Sequence, residues 1–107
     1  MRFSPIRSKA AFKILYQAGK QYNSRNFKAF YLPQERVWEI GIVAGARVGG
    51  AVQRNRAKRL LRESLRSSLM NKKPKGRLAI NAKKEILACR EPEVREDIEI
   101  MFKKLIG

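Results

Sequence analysis

Apolar positions recur at helical spacing in three stretches of the chain and crowd into short extended runs in three others. In S-K-A-A-F-K-I-L-Y-Q-A-G, Ser8 to Gly19, the residues Ala11, Phe12, Leu15 and Ala18 repeat every three or four positions and give a helix one apolar side. Ser8 stands where an N-cap hydroxyl belongs, and Gly19 where a left-handed C-terminal residue is expected. K-Q-Y-N-S-R-N-F-K-A-F-Y-L, Lys20 to Leu32, reads as an extended, aromatic-rich strand ending at Pro33. The turn P-Q-E-R then leads into V-W-E-I-G-I-V-A-G, whose β-branched and aromatic residues predict a second strand in hairpin register with the first.

After Gly45, Gly49 and Gly50 break the strand, Ala57, Leu60, Leu61, Ser64, Leu65 and Ser68 line one side of a helix running from Ala51 to about Met70. N-K-K-P-K-G, Asn71 to Gly76, ends it in an exposed basic loop, and R-L-A-I-N-A, Arg77 to Ala82, is a short strand. The last helix opens with Pro92 in its first turn, acids near its start and Lys103 and Lys104 near its end, in agreement with the helix dipole. Its apolar stripe is Val94, Ile98, Met101 and Leu105. Strand, helix, strand around Ala51–Met70 looks like a crossover between parallel strands, which predicts a mixed sheet covered by helices.

A length of 107 residues supports one domain with one modest core, and 44% hydrophobic residues argue that it folds. The N-terminal segment lacks the apolar stretch of a secretory signal, no run is apolar for long enough to span a membrane, and Cys89 is the single cysteine. The expected location is the cytoplasm.

Charge changes this picture most. Lys and Arg number 25 against nine acids, a net +16, and the sequence pI is about 10.9. Before Arg62 the only acids are Glu35 and Glu39, whereas most of the rest crowd the last quarter. So lopsided a balance is the footprint of a polyanion binder, with nucleic acid the leading partner. The cations concentrate in A-V-Q-R-N-R-A-K-R-L-L-R-E, Ala51 to Glu63. On a helical wheel Asn55, Lys58, Arg59, Arg62 and Arg66 fall within roughly a 100° sector, flanked by Arg54 and Arg56. A solvated helix face usually interleaves Glu with Lys, and this one has only Glu63 at its margin. Arginine forks suit bidentate phosphate contact, and the Asn55 amide both donates and accepts, as a ribose hydroxyl or base edge requires.

Catalytic chemistry by the chain itself is disfavoured. There is no histidine to act as acid, base or ligand. Gly45, Gly49 and Gly50 lack the Lys and hydroxyl of a phosphate-binding loop. Glu93, Glu96 and Asp97 are better explained as complements to a helix dipole than as a metal site, and Cys89 has no base nearby in the pattern. A DNA reader using Ala51–Met70 lacks a helix-turn-helix partner or a dimerising heptad, and a membrane-surface helix would not carry Ser64 and Ser68 on its apolar side.

The segment A-V-x-R-N-R-x-K-R-x-x-R-E resembles the signature of the protein subunit of bacterial ribonuclease P. The flanking I-G-I-V-A-G-A-R-V-G-G is similar to that family's strand and glycine turn, F-K-I-L-Y-Q-A-G to its first helix, R-N-F-K-A-F-Y-L to its aromatic strand and R-L-A-I-N-A-K-K to the strand after the basic helix. The resemblance spans residues 5 to 105 in order. It implies an α+β fold for residues 1–107, a single-domain αβββαβα sandwich with a mixed sheet and a left-handed βαβ crossover, like domain 2 of ribosomal protein S5. The handedness rule for such crossovers would give the opposite hand.

The resemblance further implies a subunit that works with a catalytic RNA, one protein per RNA, to remove the 5′ leader of precursor tRNA. Mg2+ would be held mainly by the RNA and none by the protein, with no membrane partner. RNA-binding residues carried over are Arg54, Asn55, Arg56, Lys58, Arg59, Arg62 and Arg66. A leader cleft is carried over onto Phe12, Tyr16, Lys28, Phe30, Arg47, Lys83 and Lys84. Asn26, Lys28 and Phe30 are expected to alternate onto one strand face, poor as core and suited to stacking an unpaired strand. Where the family usually has two lysines before the signature, this chain has Ala46-Arg47, and Gly50 replaces a common Asn. The alternative is a structural RNA binder such as a small ribosomal protein.

Overall fold

The computed structural model describes residues 4–69 and 75–106, with residues 35–37 described by their backbone only. In chain order the elements are β1 (Ser4–Pro5), α1 (Lys9–Ala18), β2 (Lys20–Asn23), β3 (Phe27–Val37), β4 (Glu39–Val43), α2 (Ala51–Leu69), β5 (Lys75–Ala82), a 3-10 turn (Lys84–Ala88) and α3 (Glu91–Leu105). Ser8 caps α1 as its position predicts, its hydroxyl accepting from Ala11 N–H at 3.3 Å. Gly19 does not take the left-handed conformation. It is extended, with φ −70° and ψ 149°, because the chain runs straight into β2. Glycine is needed there for closeness, since a Cβ would meet the Leu15 carbonyl oxygen at 2.6 Å and the Tyr31 nitrogen at 3.2 Å.

Two strand expectations need correction. Lys20–Leu32 is not one strand, because the Ser24 hydroxyl accepts from Asn26 N–H and Phe27 N–H at 3.1 and 3.2 Å and folds the chain back. Strands β2 and β3 then pair antiparallel, with Asn23 opposite Lys28 and Lys20 opposite Tyr31. Nor do β3 and β4 form a hairpin. The sheet order is β1-β4-β5-β3-β2, with β5 antiparallel to β3 and parallel to β4. The consecutive buried residues Leu78, Ala79 and Ile80 explain this, because a strand apolar on both faces belongs in the middle of a sheet. Continuing through Pro33, β3 has an irregularity between Leu32 and Val37, where proline has no N–H for the ladder.

The parallel crossover does form, running from β4 through α2 to β5. Most of the predicted exposed loop, Asn71 to Pro74, lies outside the described residues, while Lys75 and Gly76 begin β5 instead. Helix α1 covers one face of the sheet with Ala11 and Leu15 over Ile6, Phe30 and Ala79. Helices α2 and α3 cover the other, where Ala57, Leu61, Leu65 and Leu69 pack with Val94, Ile98, Met101, Leu105 and the strand residues Phe27, Ala29, Leu78 and Ile80. Phe102 joins that core, its ring 6.1 Å from that of Trp38. Ala18, expected on the apolar side of α1, is exposed.

Helix α3 is tied to the β2–β3 hairpin by Asp97. Its carboxylate accepts from the Tyr22 hydroxyl at 2.6 Å and from the Asn26 amide at 3.3 Å, and the Cys89 thiol in turn donates to Asn26 Oδ1 at 3.4 Å. Asn26 therefore faces α3 and not the strand face shared by Lys28 and Phe30. Burial, and then the bond and negative charge of Asp97, push the Tyr22 hydroxyl well above its ordinary pKa of 10.0. A raised folded-state pKa means that the folded chain holds the proton more tightly than the unfolded one. This contribution is complete below pH 10 and is lost as pH rises further. Denaturant titrations should show wild-type stability falling above about pH 10 by at most ~1.4 kcal/mol per pH unit from this group, and Tyr22→Phe should remove that part of the slope.

Candidate nucleic-acid interface

Entry into α2 is set by Gly49, whose φ of +144° lies in the region that side chains avoid. Val48 N–H donates to the Gly45 carbonyl at 3.1 Å and Gly49 N–H to that of Ala46 at 3.2 Å, which closes the turn before the helix. Burial of Ala57, Leu61, Ser64, Leu65 and Ser68 on one side leaves Asn55, Arg56, Arg59, Arg62 and Arg66 exposed on the other, with Arg54 and Lys58 half-buried. None of these cations forms an ion pair with a described carboxylate. The described ion pairs lie elsewhere, between Arg77 and Glu39 at 2.6 Å and between Arg95 and Glu91 at 3.9 Å. Val52, Asn55, Arg56, Lys58, Arg59 and Arg62 border an open groove of about 490 Å³.

A second concavity begins where the first ends. Strand β1 pairs with β4 only at Glu39 and Ile40, so on the side away from β5 the β4 edge from Gly41 onward has no strand neighbour among the described residues. There Pro5, Ile6, Phe12, Gly41 and Ile42 line a cavity of about 240 Å³, and Arg62 of α2 closes its rim. Arg62 thus borders both the cationic groove and the cleft beside α1. The Phe12 ring reaches the sheet because position 41 has no side chain: a Cβ at Gly41 would meet Phe12 Cζ at 2.5 Å.

Along α1, Tyr16 follows Phe12, their ring centroids 6.0 Å apart. Tyr16 stands edge-on to Phe30 at 4.9 Å, and its hydroxyl donates to Asn81 Oδ1 at 3.2 Å. Cross-strand register puts Asn23, Lys28, Asn81 and Val43 in one row beside this pair, a polar floor at the open end of the cleft. Lys28 Nζ lies 5.3 Å from the Phe30 ring centroid, a cation–π distance.

Several of the expected cleft residues meet here, with two revisions. Phe30 is not an open platform: at 7% exposure it is core beneath α1, packed with Leu15 and Ala79. The accessible ring is Tyr16, at 37%. Lys83 is already engaged, donating to Asn23 Oδ1 and, at 2.6 Å, to the Ser24 carbonyl, so that it fastens the β2–β3 turn. Lys84 and Arg47 are exposed, and because β4 and β5 run parallel both follow strand ends at the same end of the sheet. Gly41, Asn81 and Asn23 escape a reading of the sequence. Only Gly41 carries a signal there, since a glycine inside a strand pattern marks close approach of another group.

A one-sided row of guanidinium groups adjoining a cleft with aromatic walls and a polar floor can take up phosphates on one side and bases on the other. Fold and surface together define a small α+β protein suited to a single-stranded or folded polyanion. The ribonuclease P family model matches residues 1–106. The ribonuclease P protein component of Synechococcus sp. (strain JA-2-3B'a(2-13)) is 34% identical over 105 residues, covering 92% of this chain and 79% of the relative. That of a Nitratiruptor species is 32% identical over 100 residues, covering 94% and 90%. The fold matches the RNase P proteins of Staphylococcus aureus and Thermotoga maritima with TM-scores of 0.82 and 0.83 at 20% and 21% identity. The first comparison covers 99% of this chain and 100% of the other, the second 97% and 99%. The chain belongs to the ribonuclease P protein family.

Gly41→Ala should displace the Phe12 ring and cost about 1–3 kcal/mol of overpacking strain, read from denaturant midpoints and the Phe12 ring proton shifts. Gly45→Ala, where a Cβ meets nothing within 4 Å, is the control that should leave those shifts in place.

Proposed function

We propose that the chain binds the catalytic RNA of ribonuclease P through the outer face of α2 and the 5′ leader of precursor tRNA through the cleft beside α1, one protein per RNA. The complex then cuts the leader endonucleolytically and leaves the mature 5′ end. The observation that carries this reading is the cationic face of α2, paired with no described carboxylate and joined to the cleft through Arg62. Arg54, Asn55, Arg56, Lys58, Arg59, Arg62 and Arg66 face the catalytic RNA. Phe12, Tyr16 and Lys28 meet the leader, with Arg47 and Lys84 taking phosphates at the open end. Phe30 supports Tyr16 from below, and Lys83 holds the turn that carries Asn23.

Bond breaking is assigned to the RNA, with Mg2+ held mainly there. In support, the chain has no histidine, and among the described residues no three acid, thiol or imidazole groups gather into a metal-binding cluster. The protein's part is electrostatic and positional: it neutralises phosphates that the RNA would otherwise bring together at a cost, and it holds the leader in line. The cytoplasm is the proposed site of action; among the described residues no helix is long and apolar enough to cross a membrane.

Mixing the purified protein, a bacterial ribonuclease P RNA transcript and precursor tRNA at physiological magnesium tests the reading. Leader removal should be efficient only with both macromolecules. RNA binding with no effect on cleavage would favour a purely structural role. In the same assay Tyr16→Ala should weaken binding of leader-bearing precursor by about 1–3 kcal/mol, the worth of a stacked base, and leave mature tRNA unaffected. Equal loss on both would remove the leader from the cleft. Arg59→Ala with Arg62→Ala, both exposed, should lower the log–log slope of RNA affinity against salt by somewhat under two units, about 0.7–0.9 for each phosphate no longer neutralised.

A further inference from the structure

Val52 stands out within the cationic groove. It is 78% exposed, in the first turn of α2, and lines the groove together with Asn55, Arg56, Arg59 and Arg62. At helical spacing Asn55 and Arg56 are its i+3 and i+4 neighbours and Arg59 lies one turn further, so the isopropyl group is set among cationic and amide groups on one surface. No packing among the described residues accounts for it. It belongs to neither apolar core, and the helix is anchored from the opposite side by Ala57, Leu61 and Leu65.

Local preference argues against it as well. A β-branched residue is a poorer helix former than Ala, and the first turn of a helix favours an acid, of which α2 has none. A surface that bound phosphate alone would gain nothing from an exposed apolar side chain at this point, and water there is an unfavourable neighbour for it.

We infer that Val52 is an apolar contact for the RNA partner, packing against the face of a nucleobase or ribose while the surrounding side chains hold the adjacent phosphates. Charge complementarity decides the occupant: an apolar protein surface brought to this spot would bury Arg56, Arg59 and Arg62 without counter-charges, whereas RNA presents sugar and base faces within a few ångströms of its phosphates. Asn55, one turn along, is then placed to hydrogen-bond a ribose hydroxyl or base edge of the same nucleotide. On this view the helix reads local RNA structure in addition to charge. The inference rests on the assignment of α2 to the catalytic RNA.

Salt dependence separates the two ideas. Binding of a bacterial ribonuclease P RNA transcript is measured across a potassium chloride series for wild type, Val52→Ala and the Arg59→Ala, Arg62→Ala variant. Alanine at this exposed helical position keeps the fold, which the thermal midpoint verifies. Removal of a small apolar contact should weaken Val52→Ala by roughly threefold to tenfold at every salt concentration, about 0.7–1.4 kcal/mol, with a slope parallel to wild type. Val52→Thr, equal in shape, should fall on the same side. Curves for Val52→Ala that superimpose on wild type, or that lose slope, overturn the apolar contact while the double arginine variant still shows its slope change. A double variant with an unchanged slope takes α2 off the RNA altogether and the inference with it.

Discussion

Everything at this protein's surface depends on holding one helix in place against its own charge. In α2, Arg54 and Lys58, Lys58 and Arg62, and Arg62 and Arg66 are like-charged pairs at i,i+4, each unfavourable by about 0.2–0.5 kcal/mol. No described carboxylate forms an ion pair with them. Against this stand Leu61, Leu65 and Leu69, fully or almost fully buried, each worth about 1.5–3 kcal/mol, together with Ala57 packed against the sheet and α3. Burial wins by several kcal/mol, so the cations can stay without an ion-pair partner among the described carboxylates and direct their attraction at phosphates from outside.

The sheet performs a second task, which is to bring that helix beside a cleft. Because β1 is only two residues long, the edge of β4 beyond Ile40 is open, and α1 and α2 reach it from opposite faces. Phe12 comes down onto Gly41 from one side and Arg62 arrives from the other. A phosphate neutralised at Arg62 is therefore next to an aromatic wall, the juxtaposition that an RNA chain with alternating charged and flat parts can use. The Asp97 tie to Tyr22 and Asn26, with Lys83 across Asn23 and Ser24, stiffens the hairpin that forms the far end of the cleft.

How much of this is written in the sequence varies with the range of the interaction. The basic face of α2 is legible because helical spacing and charge are local: Asn55, Arg59, Arg62 and Arg66 are exposed where the wheel places them, and Ala57, Leu61 and Ser64 are buried. The Ser8 cap and the dipole-matched ends of α3 are legible for the same reason. Strand pairing is not. A short turn between aromatic and β-branched runs reads as a hairpin, yet β5, some forty residues later, takes the place between them. Phe30 misleads on the same ground, since its strand neighbours Lys28 and Asn26 suggest a wet face, whereas Asn26 turns toward α3 and Phe30 lies under α1.

The amino-acid sequence by itself determined the chemistry: an excess of cations gathered on one helix, a signature shared with the ribonuclease P protein family, and no imidazole anywhere in the chain. Periodicity and capping act over three or four residues, so these features survive without knowledge of the fold. Only the tertiary structure decided which groups face one another, because strand order, an open edge on β4 and the approach of Phe12 to Gly41 depend on packing between segments far apart in the chain. That packing is set by the apolar residues of β5, which have to be covered on both faces at once.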